Sequence, residues 1–158
     1  MRWYKGSIVL AAGLCVELIV AVISCLLIKE NSVWLLSLAL PYFAPRSALS
    51  YGIIMEVGYL SAAVSLAIYA TSLEDLPKGV LLTAVEGMLE IVTLLFFFQF
   101  TYEITSFFLA TATIIFSVFT TSVFLSKRDA AGIARLPSLI LHLYLWAILY
   151  CILMINFT

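Results

Sequence analysis

Five long apolar runs take up most of this sequence and leave little chain for anything else. They lie near residues 7–28, 49–70, 79–100, 104–126 and 136–157. A helix needs about 20 mostly apolar residues to cross the hydrocarbon core of a bilayer. We therefore predict an all-α, multi-pass integral membrane protein, in which residues 1–158 form a single bundle of five transmembrane helices.

Composition supports this class and excludes others. Charged residues make up 11% of the chain, against about 25% in soluble domains. The net charge of −1 offers no basic surface of the kind that nucleic-acid binding needs. The first run follows basic Arg2 and Lys5, but it is too long for a signal peptide and lacks a clear small-residue cleavage site. The expected partner is the lipid bilayer, with no nucleic acid.

Basic residues in the short connections predict the orientation, because cytoplasmic loops carry an excess of Lys and Arg. Two basic residues, Lys29 and Arg46, lie on the side of the first loop. The opposite side carries six, namely Arg2, Lys5, Lys78, Lys127, Arg128 and Arg135. We predict a cytoplasmic N-terminus and an outside C-terminus.

The connection between the first and second runs is long and unusually apolar. Pro41 and Pro45 interrupt any regular helix there. Trp34, Tyr42 and Phe43 are aromatic residues of the kind found at membrane interfaces. We predict that this loop is structured and caps one end of the bundle.

Four carboxyl groups interrupt the apolar runs, at Glu17, Glu56, Glu86 and Glu90. A charged group at the bilayer centre costs about 2.5 kcal/mol or more, so such residues usually face the bundle interior and mark a functional cavity. The simpler interpretation is structural, since buried polar groups also hold neighbouring helices together through hydrogen bonds. Both interpretations stay open at this point.

Two helix faces carry several of the titratable side chains. Glu86 and Glu90 are four residues apart and share one face of the third helix. In the fifth helix, Arg135, His142 and Trp146 fall on one stripe. Arg135 is expected near the membrane boundary, where a long basic side chain can reach the headgroups. His142 alone fits a core histidine as well as a functional one.

Short motifs resemble the TspO/MBR family (translocator proteins, or tryptophan-rich sensory proteins). The first loop shows Trp34-x3-Leu38-x2-Pro41-x-Phe43-x-Pro45, followed by Tyr51-Gly52-x6-Tyr59. Glu86 and Glu90 take the places of a family Gln-x3-Asn, with Phe97-Phe98 at an aromatic pair. Near the start of the last helix, Ala131-Gly132-x4-Pro137 matches a family Ala-Gly-x4-Pro, and Asn156 falls on a late Asn.

The chain also differs from the family pattern. Arg46 stands at the second proline of the loop, Met55-Glu56 at a Trp-Thr pair and Leu141 at a tryptophan of the last helix. Porphyrin breakdown in the family depends on tryptophans that are mostly missing here, so that activity is not carried over.

The resemblance implies five helices around a pocket capped by the first loop, a homodimer, and a receptor or transport role. It also implies a porphyrin, haem-type, sterol-like or other aromatic ligand; no cofactor is assigned from the residues themselves. Because carboxyl groups replace neutral amides, charge complementarity favours a hydrophobic ligand with a basic group. The expected ligand-binding residues are Trp34, Phe43, Tyr51, Met55, Glu56, Tyr59, Glu86, Glu90, Phe97, His142 and Tyr144.

Two other functions stay open. The chain can be a small subunit of a larger membrane complex, with its Glu residues serving assembly or proton transfer. It can also be a carboxylate-metal membrane enzyme, with Glu and His as ligands. Di-iron bundles carry Glu-x-x-His on two helices, whereas this chain has one His and no such motif. We therefore assign no catalytic and no metal-ligating residue.

Overall fold

The structure, a computed structural model, describes residues 2–70, 75–99 and 103–156. These ranges contain helices and no strand. The helices are α1 (Arg2–Glu30), α2 (Ser32–Ser37), α3 (Ala48–Tyr69), α4 (Leu76–Phe98), α5 (Glu103–Lys127) and α6 (Asp129–Asn156). Each except α2 is long and apolar enough to cross a membrane.

The five long helices form a closed ring. Helix α1 packs against α3 and α4, α6 packs against α3 and α5, and α4 packs against α5. The order around the ring is therefore α1, α3, α6, α5, α4, which differs from the order in the chain. As a result, α3, α4 and α6 all face the same interior.

The outer surface of the ring is apolar, and the interior holds the polar side chains. Leu18, Leu81 and Ile140 are each more than half exposed on three different helices. By contrast, Ser24, Ser65, Ser106, Ser117 and Thr120 are fully buried. This arrangement inverts that of a soluble protein and matches a bundle surrounded by hydrocarbon.

Helix α6 begins earlier than predicted. The predicted last helix starts at 136, but α6 starts at Asp129, and Arg128 alone separates it from α5. Pro137 lies inside the helix, where it removes one backbone hydrogen bond. Side chains of α3 bind backbone groups on either side of it: Ser65 donates to the carbonyl oxygen of Ala131 at 2.8 Å, and Ser61 accepts from the amide of Ser138 at 3.1 Å.

The first loop folds over the end of the ring at which α6 finishes. Asn156 makes two hydrogen bonds with the backbone of Ala39, accepting from its amide at 2.9 Å and donating to its carbonyl at 3.1 Å. Tyr144 donates to the carbonyl oxygen of Phe43 at 2.8 Å. Trp34, on α2, packs edge-on against Phe97, with ring centroids 5.2 Å apart. We call this segment, residues 31–47, the cap.

Candidate functional site

A buried ion pair lies at the centre of the ring. The guanidinium of Arg135 on α6 donates to the carboxylate of Glu86 on α4. Arg135 is 1% exposed, and its guanidinium carbon lies 4.9 Å from the centre of the Phe124 ring on α5. The Arg135 side chain therefore pairs with a carboxylate inside the bundle, where an interaction with the headgroups was expected.

His142 extends this pair into a network. Its Nε2 atom lies 3.3 Å from Glu90 Oε2, and its Nδ1 atom lies 3.3 Å from Ser117 Oγ. Nδ1 is also 3.4 Å from Glu86 Oε1, within ion-pair range but not aligned as a hydrogen bond. Tyr59 on α3 donates to Glu90 Oε1. Side chains from four helices thus meet around the Glu86 and Glu90 carboxyl groups, and we call this set the central network.

Helix spacing explains how these side chains converge. Glu86 and Glu90 are one turn apart on α4, and Arg135 and His142 are two turns apart on α6. Across the ring, Arg135 pairs with Glu86, and His142 lies within 3.4 Å of both Glu86 and Glu90. Gly87 lets α1 approach α4 closely, because a Cβ atom there would lie 2.5 Å from Val20.

Several polar atoms of the central network have no hydrogen-bond partner in the described part of the chain. They are Thr83 Oγ1, Glu86 Oε1, and Nε and Nη1 of Arg135. They surround a polar cavity of about 10 Å³, which Glu17, Tyr59 and Ser138 also line. This volume is close to the minimum that holds one water molecule, so the centre of the ring has no room for an organic ligand.

A much larger cleft lies between α1 and α3 and opens sideways, through the outer surface of the ring. Its volume is about 370 Å³, within the range of about 300–1,000 Å³ for small-molecule sites. Its walls are mostly apolar and include Leu14, Ala21 and Gly52. The polar or reactive groups that also line it are the carboxyl groups of Glu17 and Glu56, the hydroxyl of Tyr59 and the thiol of Cys25. Glu56 is exposed on this cleft and forms no hydrogen bond or ion pair within the described ranges.

A third space lies beneath the cap. This apolar cavity of about 40 Å³ is lined by Tyr51, Met55 and Phe97, together with residues of α1, α2 and α6. The buried hydroxyl of Tyr51 has no hydrogen-bond partner among the described residues. The cavity is too small for an aromatic ligand, although it is where the resemblance implies a pocket.

The structure divides the expected ligand-binding residues among these places. Glu86, Glu90, His142 and Tyr59 belong to the central network; Tyr51, Met55 and Phe97 line the cavity under the cap; Trp34, Phe43 and Tyr144 hold the cap in place; and Glu56 lies on the lateral cleft. They do not form one pocket. Glu56 in particular is exposed, where an interior position was expected.

Sequence reasoning left Glu17 and Arg135 out of the site. Glu17 is 7% exposed and lines both the lateral cleft and the polar cavity of the central network. Helix α1 is apolar nearly all round, so its sequence did not reveal which face meets the other helices. The interruption of an apolar run by a carboxyl group was the one signal that pointed to Glu17.

The described residues contain no group of three or more His, Cys, Asp or Glu side chains arranged to hold a metal ion. In the central network, Arg135 and Tyr59 bind the carboxylate oxygens that a metal ion would need. The geometry therefore gives no support to a carboxylate-metal site.

In sequence comparisons, no known protein family matches this chain, and no curated protein matches it either.

Proposed function

We propose that this chain is a multi-pass membrane protein that binds a hydrophobic small molecule with a basic group, in the cleft between α1 and α3. Support for membrane insertion comes from five apolar helices whose exposed faces carry large apolar side chains. With Arg135 removed from the loop count because it is buried, five basic residues against two still favour a cytoplasmic N-terminus and an outside C-terminus.

The lateral cleft is the single observation that carries the ligand proposal. It combines ligand-sized volume and apolar walls with two carboxyl groups, Glu17 at its floor and Glu56 on its exposed side. A few well-placed polar groups in an apolar pocket are typical of small-molecule sites. The opening to the side allows a hydrophobic ligand to enter from the bilayer.

The carboxyl groups of the cleft favour a cationic ligand over an anionic or uncharged one. Glu86 and Glu90 are engaged by Arg135, His142 and Tyr59, so Glu56 and Glu17 are the carboxyl groups that remain to recognise a ligand. A carboxylate in an apolar cleft attracts a cation and repels an anion. We therefore favour a hydrophobic amine over a dianionic porphyrin or an uncharged sterol, and we retain only a TspO/MBR-like architecture from the resemblance.

Native mass spectrometry of the gently purified protein tests this proposal. We expect 4-phenylbutylamine to bind at least about tenfold more tightly than its uncharged counterpart 4-phenylbutan-1-ol, which corresponds to about 1.4 kcal/mol. Glu56→Gln should remove most of this difference, whereas Glu30→Gln, at the exposed end of α1, should not. Equal binding of amine and alcohol would contradict the proposal.

The exposed carboxyl group of Glu56 also fits a second function, that of a subunit in a larger membrane complex. A basic side chain of a partner helix would then lie in the cleft and neutralise Glu56. The same spectra distinguish the two, because they report the oligomeric state. A monomer or homodimer favours ligand binding, while a chain found only with other polypeptides, and released by Glu56→Gln, favours the complex.

A further inference from the structure

Glu17 connects the lateral cleft with the central network. Its side chain lines the cleft of about 370 Å³ and also the polar cavity of about 10 Å³ that contains Glu86, Arg135 and His142. Tyr59 lines both spaces as well. A cation in the cleft would therefore contact the Glu17 carboxyl group, which also lines the polar cavity of the central network.

The groups around Glu17 do not supply it with a counter-ion of its own. Helix α3 presents Glu56 and Tyr59, α4 presents Glu86 and Glu90, and α6 presents Arg135 and His142. The positive charge of Arg135 is engaged by Glu86, and His142 lies against Glu90. No hydrogen bond to the Glu17 carboxyl group lies within the described ranges. Its carboxyl group is buried, Arg135 attracts a negative charge there, and Glu90 and Glu86 repel it.

An ionised carboxylate buried without a partner is far more costly than a neutral carboxylic acid. The neutral, protonated form of Glu17 needs no counter-ion while the cleft holds no cation. Glu56 differs, because it is exposed on the cleft and meets an incoming ligand first. The two carboxyl groups have separate roles: Glu56 attracts the cation, and Glu17 responds to it.

We propose that Glu17 is a proton–cation exchange site, at which a hydrophobic ammonium ion entering the cleft replaces the proton of the Glu17 carboxyl group. The O–H bond of the carboxylic acid breaks, the proton passes to water, and the carboxylate that remains pairs with the ammonium ion. Charge in the cleft is conserved, with one cation bound for one proton released. This inference depends on the proposed ligand class and adds that binding is coupled to pH.

Isothermal titration calorimetry in two buffers of different ionisation enthalpy measures proton release directly. The probe is (4-phenylbutyl)trimethylammonium, which carries a permanent charge and has no proton of its own to lose. For the wild-type protein near neutral pH we expect release of about one proton per bound cation, with affinity rising about tenfold per pH unit. Glu17→Gln should still bind the probe but release no proton, because the amide does not titrate.

Two control variants complete the experiment. Glu56→Gln should weaken binding but keep proton release, and Glu30→Gln should change neither. Binding without proton release in the wild type, or undiminished proton release in Glu17→Gln, would overturn proton–cation exchange and leave the proposed ligand class standing. A wild-type protein that gives no heat of binding, with either this probe or 4-phenylbutylamine, would overturn both.

Discussion

Arg135 and Glu86 form an ion pair inside the ring, and the same guanidinium lies against the face of Phe124. Three helices thus meet at one side chain. Because both partners are buried, replacing only one of them lowers stability strongly, since the remaining charge would have no counter-ion.

Arg135→Met should lower the free energy of unfolding by about 3–5 kcal/mol. The double variant Glu86→Gln/Arg135→Met should be more stable than the single variant by at least about 1 kcal/mol, since it removes the orphaned charge along with its partner. Denaturant titration in detergent measures both. If the double variant loses as much free energy of unfolding as Arg135→Met and Glu86→Gln lose together, the two side chains do not interact.

Tyr59 is expected to stabilise the central network through its hydrogen bond to Glu90. Tyr59→Phe removes the hydroxyl alone, and we expect a loss of about 2 kcal/mol, typical of a hydrogen bond to a charged group. Tyr150→Phe is the matched control, because Tyr150 is 43% exposed and should cost little. If both variants melt at the wild-type temperature, the Tyr59 hydroxyl contributes nothing to stability.

The helices and some members of the central network could be predicted from the sequence, but the order of the helices around the ring could not. Apolar runs of membrane-spanning length locate five helices regardless of how these pack. The order around the ring depends instead on contacts such as Gly87 against Val20, and a single sequence does not reveal them. Glu86, Glu90 and His142 were selected correctly as polar groups inside the bundle, because spacing placed them on shared faces.

An ion-pair partner explains the side-chain direction of Arg135, and rotation around the helix explains the exposure of Glu56. Arg135 was expected near the membrane boundary, where a long basic side chain can reach the headgroups, but its guanidinium pairs with Glu86 on α4. Glu56 was expected inside because a charged group in an apolar run usually faces the bundle interior. Glu56 and the buried Tyr59 are three residues apart, however, and differ by about 60° around the helix. That rotation brings Tyr59 into the interior and leaves Glu56 on the cleft.

Asn156 should control how firmly the cap closes the end of the ring, because its side chain joins the backbone of Ala39 to that of Ile152 on α6 through three hydrogen bonds. Asn156→Asp keeps the acceptor but loses the donor, and Asn156→Ala loses both. We expect amide hydrogen exchange across residues 38–46 to accelerate modestly in the first and more strongly in the second. Exchange in α4 should stay unchanged, and acceleration throughout the protein would indicate global unfolding instead.

Gly132 should be intolerant of a side chain, since an added Cβ atom would lie 2.7 Å from the Cα atom of Leu125 in the α5 backbone. Gly132→Ala should destabilise the protein by about 1–3 kcal/mol, a typical cost of overpacking. Gly52→Ala is the control, because its nearest neighbour is 3.9 Å away and alanine favours a helix. Thermal unfolding should place Gly132→Ala below the wild type and Gly52→Ala at or above it.

Cys25 provides a chemical probe of the lateral cleft, which it lines. Replacing Cys15 and Cys151 by Ser leaves Cys25 as the one thiol in the chain, since the sequence has three cysteines. In detergent, we expect 4-phenylbutylamine to slow alkylation of Cys25 by N-ethylmaleimide in proportion to its occupancy of the cleft, and 4-phenylbutan-1-ol to protect it less. A variant that keeps Cys15 alone is the control, because Cys15 is exposed but is not among the residues that line the cleft. Equal protection of both thiols would mean that the amine acts on the detergent micelle or consumes the maleimide, and unchanged alkylation of Cys25 at saturating amine would place the ligand elsewhere.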